Sequence, residues 1–113
     1  MWAALALFAI AAAQPELTGN YEAHQMELAG ALELQPNGHF RYALDYGAVS
    51  EGAEGDWMVD GATVRLTSKA APIDTERSQA VIQGQPLARA DDLLLLERYE
   101  TVIRFERIRP EEQ

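Results

Sequence analysis

Acids, imidazoles, hydroxyls and aromatic rings are the groups in this chain that could do chemistry, and their spacing decides which kinds stay open. There are two histidines, His24 and His39, and no cysteine. Zinc sites use His or Cys at short fixed spacings, and neither histidine heads such a pair, so both read as surface imidazoles. Glu51, Glu54 and Asp56 could approach a calcium ion, but the Asp-x-Asp-x-Asp-Gly spacing of a calcium loop is missing. Ser50, Ser68 and Ser78 lack a nucleophile-elbow context, no thiolate is available, and no glycine loop cradles phosphate after a strand. The expectation is a non-catalytic protein with no metal or other cofactor. Binding is what remains: Tyr42, Tyr46, Trp57 and Tyr99 offer contact area, and Glu51, Glu54 and Arg77 offer charged rim groups.

These side chains need elements to hold them. In residues 39–46 (HFRYALDY), successive strand side chains point to opposite faces, so Phe40, Tyr42, Leu44 and Tyr46 share a dry face. His39, Arg41 and Asp45 take the wet one. Residues 31–34 alternate as well, and the Pro36-Asn37-Gly38 between the two runs signals a hairpin, because Asn and Gly both tolerate positive φ. Residues 47–55 are acidic and contain glycine, and they read as a loop before Trp57 and Val59 resume the apolar side. Asp60-Gly61 turns the chain into residues 63–67, with Val64 and Leu66 inward. Residues 68–78 read as a second loop, 80–82 as a short strand, and 83–90 as an irregular connection because of Gly84 and Pro86. Residues 92–96 and 101–108 complete the strands. The four leucines of the first suggest burial on both sides, with Leu93 and Leu95 lying under a terminal segment or forming a protein-facing patch.

Seven or eight short strands joined in sequence predict an all-β fold, an antiparallel up-and-down meander barrel, since closure removes the edges an open sheet exposes. Tyr21, Phe40, Tyr42, Tyr46, Trp57 and Phe105 fall on inward faces; Tyr99 does not. An eight-stranded barrel is just wide enough to be filled by side chains or to hold one small ligand. Six rings of about 150–250 Å² each favour filling, with a shallow aromatic cup as the alternative. Loops of a meander alternate between its ends. Turns 36–38 and 60–61 should gather at one end with the 83–90 connection, and segments 26–30, 47–55, 68–78 and 97–100 at the other. The longer loops make that second end the expected mouth.

Residues 1–13, MWAALALFAIAAA, are uncharged and end in small residues, with Ala11 and Ala13 where a signal peptidase reads. They predict a secretory signal peptide, with residues 14–113 as one domain in the periplasm or outside the cell. A spanning helix needs about 20 apolar residues, so no stable membrane insertion is expected after cleavage. The net charge of −9 repels nucleic acid and anionic lipid. That charge is uneven, since residues 14–60 hold nine acids and Arg41 alone. The expected partner is a small apolar or amphipathic molecule or an envelope protein.

Gly19-Asn20-Tyr21 resembles the Gly-x-Trp opening of lipocalin-like barrels, with Tyr in place of Trp. Leu32, Gly38, Phe40, Trp57, Asp60-Gly61, Val64 and Leu66 are similar to small bacterial envelope barrels, including META-type domains and the amino-terminal domain of copper-resistance lipoproteins. The resemblance implies a fold; the Cys-x-x-Cys pair and lipidated Cys of the copper-associated proteins are absent, so it implies no metal role. Barrel inhibitors of secreted metalloproteases open in a similar way and plug the protease with their amino-terminal segment, which would be residues 14–18 here.

Overall fold

The computed structural model describes residues 15–69 and 78–109, so the expected signal segment, Gln14, Arg77 and most of the 68–78 segment lie outside the described residues. A 3-10 turn, Pro15–Leu17, leads into nine strands: β1 (Gly19–Gln25), β2 (Leu28–Leu34), β3 (His39–Tyr46), β4 (Val49–Asp60), β5 (Thr63–Ser68), β6 (Ser78–Gln79), β7 (Gln85–Ala90), β8 (Leu93–Arg98) and β9 (Thr101–Arg107). Eight of them form an antiparallel ring in meander order, closed by the β3–β4 and β1–β9 pairings. The ninth, β6, adds in parallel to β4 at Glu51 and Gly52. The protein is a closed all-β barrel of the lipocalin-like kind. No α-helix occurs among the described residues.

The inward faces are those the alternation predicts. Phe40, Leu44, Val64, Leu87, Ile103 and Phe105 are fully buried, and Tyr21, Tyr42 and Trp57 nearly so. Side chains therefore fill the barrel at these levels, and Tyr42 meets Phe105 edge-on with ring centroids 6.4 Å apart. Packed rings of this kind contribute about 0.5–1.5 kcal/mol beyond their buried area.

Three sequence expectations about segments are overturned. In the first, the short strand read at residues 80–82 falls at Ser78–Gln79 (β6) instead. Residues 49–55 are not a loop but the first half of the twelve-residue β4. Only Gly47 and Ala48 turn the chain, with Gly47 at φ 59°, and every residue from Val49 to Asp56 then pairs with β3. Glycine and acid discourage a strand reading locally, yet here each has a place in the sheet. Gly55 permits a close backbone approach from β5, and Glu51, Ala53, Gly55 and Trp57 share the inward phase. Residues 85–90 are likewise a strand. Pro86 is tolerated there because it precedes Leu87, where the β8 ladder begins, so its missing N–H falls near the strand start.

The ends of the barrel follow from this. Gly38 (φ 90°), Gly61 (φ 65°) and Asp91 (φ 57°) mark the turns at one end. The turn at Asp91 and Asp92, not the 83–90 connection, is the third member of that set. The opposite end carries the turns at residues 26–27, 47–48 and 99–100, and the Gly47 N–H donates to the Glu27 carbonyl at 3.0 Å. Beneath the first end, Leu17 is buried and the Tyr21 hydroxyl donates to its carbonyl at 2.8 Å.

Candidate functional site

At the end bearing the 26–27, 47–48 and 99–100 turns, the barrel contains a charged group where the pattern calls for an apolar one. Glu51 points inward from β4 and is 4 % exposed. A buried carboxylate without partners would lose its charge or unfold the site, and four donors answer that cost. Its Oε1 accepts from Tyr99 Oη at 2.6 Å and from Arg98 Nη2 at 3.0 Å. Its Oε2 accepts from Tyr42 Oη at 2.7 Å and from Arg98 Nε at 2.7 Å.

Each donor is delivered by a separate feature of the fold. Tyr42 faces inward on β3, diagonal to Glu51 across the Leu44–Glu51 and Tyr42–Ala53 pairs. Arg98 ends β8 in phase with the buried Leu94 and Leu96, so it enters the mouth from the opposite wall. The result is a bidentate ion pair that straps β4 to β8. Tyr99 follows as the first residue of a two-residue turn, and its ring lies 6.3 Å from that of Tyr46. The Arg98 guanidinium sits 5.0 Å from the Tyr99 ring centroid.

Burial works against the Glu51 charge, but the hydrogen bonds from Arg98, Tyr99 and Tyr42 outweigh it and hold the carboxyl below its usual range. Burial, then the bond to Glu51, raises the Tyr42 phenol. The bond to Glu51 is the main cause raising both Tyr99 and Arg98. A carboxylate this acidic, with donors on both oxygens, is a poor proton acceptor at neutral pH. Its chemistry is that of a fixed anion clamping a cation and two phenols.

The turn that presents Tyr99 is strained. Tyr99 and Glu100 both have left-handed backbone, at φ 54° and 60°, in positions where Asn-Gly is the common choice. Left-handed conformations cost side-chain-bearing residues about 1–2 kcal/mol each, whereas a hydrogen bond to a charged group contributes about 1.5–3 kcal/mol. The Tyr99–Glu51 bond is therefore large enough to offset much of the strain. Tyr99→Phe should lose about 1.5 kcal/mol of unfolding free energy while keeping the barrel's circular dichroism, as urea denaturation would show.

Of the residues named from sequence, Tyr42, Glu51 and Tyr99 share one hydrogen-bonded cluster and Tyr46 packs on its edge. Glu51 is thus an interior group, not a rim group. Trp57 lies at the other end, its indole N–H donating to the Gln35 carbonyl at 2.9 Å. Glu54 faces outward, with Oε1 3.2 Å from His39 Nε2 and Oε2 3.8 Å from Arg41 Nε. It lines an external concavity of about 760 Å³ over Ala31 and Ala43. Ion pairs this exposed contribute little. No metal-capable group of three or more His, Cys, Asp or Glu occurs among the described residues. Arg98 was missed, although a signal for it existed. Counting back from Trp57 puts Glu51 on the dry phase, and counting on from Leu94 and Leu96 puts Arg98 there too. Opposite charges on the inward phases of two strands are a sequence sign of an ion pair inside a barrel.

Fold and cluster together define a lipocalin-like barrel with a polar strap across one mouth. No family model matches the chain, and neither curated proteins nor solved structures give a match.

Proposed function

We propose that this is an exported, non-catalytic barrel that binds a small amphipathic molecule or a protein partner at the strapped end. Export rests on the apolar pattern of residues 1–13. The observation that carries the binding reading is Tyr99, an aromatic residue 44 % exposed and held in a left-handed turn by a bond to a buried anion. Backbone strain of this sort gathers at ligand clamps and active sites, and a rigid half-exposed ring beside Tyr46 and Arg98 suits an amphipathic contact. Because side chains occupy the interior, the contact would lie at the rim, without a deep cup.

Amide spectra of the unmodified protein, titrated with dodecanoate and separately with lysophosphatidylcholine below micelle formation, test the small-molecule version. Saturable shifts at Tyr46, Arg98, Tyr99 and Glu100 are expected. Shifts confined to Trp57 and the opposite end, or none, would remove it. A protein-interaction module is the second reading, favoured by Val102, 44 % exposed, and half-buried Leu93 and Leu95 on the outer side of β8 and β9.

A further inference from the structure

Charge at the strapped end is one-sided once the strap itself is set against its partner. Glu51 and Arg98 form a bidentate pair, so together they present no net charge to the mouth. Around them the turns add Glu27 and Glu100, and β8 adds Glu97 just before Arg98, all three with exposed side chains. Contacts gather these segments, because the Gly47 N–H donates to the Glu27 carbonyl and the Tyr46 ring lies against that of Tyr99. Two other bases approach this end among the described residues. Arg104 sits three residues into β9 on its outer face, diagonal to Glu97, and His24 lies on the outer face of β1 with its imidazole 3.1 Å from Glu22. Apolar surface accompanies the acids: Met26, beside Glu27, is 88 % exposed, and Tyr99 is half-exposed next to Tyr46. Aromatic faces attract cations, and the Tyr99 ring already takes one in the Arg98 guanidinium 5.0 Å from its centroid.

We infer that the strapped end selects a single-chain amphiphile whose head is a cation, an alkylammonium, with the head among Glu27, Glu100 and the exposed part of the Tyr99 ring and the chain over Met26 and Tyr46. The inference rests on the small-molecule reading above and names the chemistry of its ligand. An anionic head would face the same carboxylates and would have to compete with Glu51 for the charge of Arg98. A cation about 7 Å from a carboxylate in water binds about threefold tighter for it before salt screening. An exposed aromatic contact adds about two- to fivefold. Two carboxylates and one ring therefore favour a cationic head over a neutral one by about tenfold or more.

The test holds the tail constant and varies the head. Amide spectra of the full chain are titrated at low salt with dodecyltrimethylammonium, dodecyl maltoside and dodecanoate, each below micelle formation. Shifts at Met26, Tyr46 and Tyr99 should saturate about tenfold earlier with the ammonium than with the maltoside, and dodecanoate should be the weakest of the three. Glu27→Gln combined with Glu100→Gln should weaken the ammonium about fivefold and leave the maltoside unchanged. Asp91→Asn combined with Asp92→Asn removes the same charge from the opposite end, and so measures the general pull of a chain of net charge −9. That variant should bind the ammonium as the parent does. Equal affinity for all three heads, a preference for dodecanoate, or the same loss in both double variants would overturn the inference and leave the small-molecule reading standing. No saturable shift with any of the three would overturn both.

Discussion

Arg98→Met should cost about 3–5 kcal/mol of unfolding free energy at neutral pH and much less near pH 4. The ion pair is nearly dry on the acid side and part-exposed on the other, with side chains 5 % and 21 % accessible. Taking away Arg98 leaves a buried carboxylate supported by two phenols, and that uncompensated charge accounts for the size of the effect. The pH dependence distinguishes it from lost packing. In the parent, Glu51 has a folded pKa below its unfolded one. Its stabilisation is complete above the unfolded carboxylate value, about 4.3, and declines as pH falls through the lower folded value. In the variant, burial acts without the guanidinium and the folded pKa rises from its parent position, so less of the Glu51 stabilisation remains once the carboxyl ionises. Urea midpoints for both proteins between pH 4 and 8 should therefore diverge with rising pH. Parallel curves would mean that Arg98 matters for its bulk and not its charge. Adding Glu51→Gln to Arg98→Met should recover part of the loss, because no buried charge is then left unpaired.

Gly55→Ala is expected to be comparably damaging, at about 3 kcal/mol or more, for a steric reason. A Cβ at Gly55 would lie 2.0 Å from the Thr67 carbonyl oxygen and 2.7 Å from the Ser68 Cα. Those atoms belong to the β5 backbone, paired with Gly55 itself, and cannot step aside without parting the β4–β5 ladder. Gly30 makes an informative control. A Cβ there would meet only side-chain atoms, 3.1 Å from the Phe105 ring and 3.3 Å from Leu44 Cδ1, which can shift by tenths of an ångström. Denaturation midpoints should fall steeply for Gly55→Ala and little for Gly30→Ala. Equal midpoints for Gly55→Ala and the parent would show that the two strands are not held this close.

Much of the barrel was legible because its signals are local. HFRYALDY alternates strictly, and Asn37-Gly38 and Asp60-Gly61 announce their turns, with Gly38 and Gly61 at positive φ. The first half of β4 was not legible, since the use of Gly55 depends on how close β5 comes and the use of Glu51 depends on donors 47 and 48 residues away. Tyr42, Glu51 and Tyr99 were picked out as possible contacts from residue type, but their mutual bonding follows from closure of the ring. Reading residues 47–55 as a loop at the mouth places Trp57 just beneath that rim. With those residues extended as strand, Trp57 moves down the barrel to Gln35. Tyr99 and Glu100 gave no turn signal of the Asn-Gly type, as the conformation is imposed from outside by Glu51.

Glu51 and Arg98 approach from walls that meet only after the cylinder is assembled, and 47 residues separate them along the chain. A bond of that kind gives nothing to early stages of folding, because the entropy of bringing distant segments together must be met first. It is expected to act on lifetime: the strap slows the parting of strands already joined while leaving the speed of their first encounter nearly unchanged.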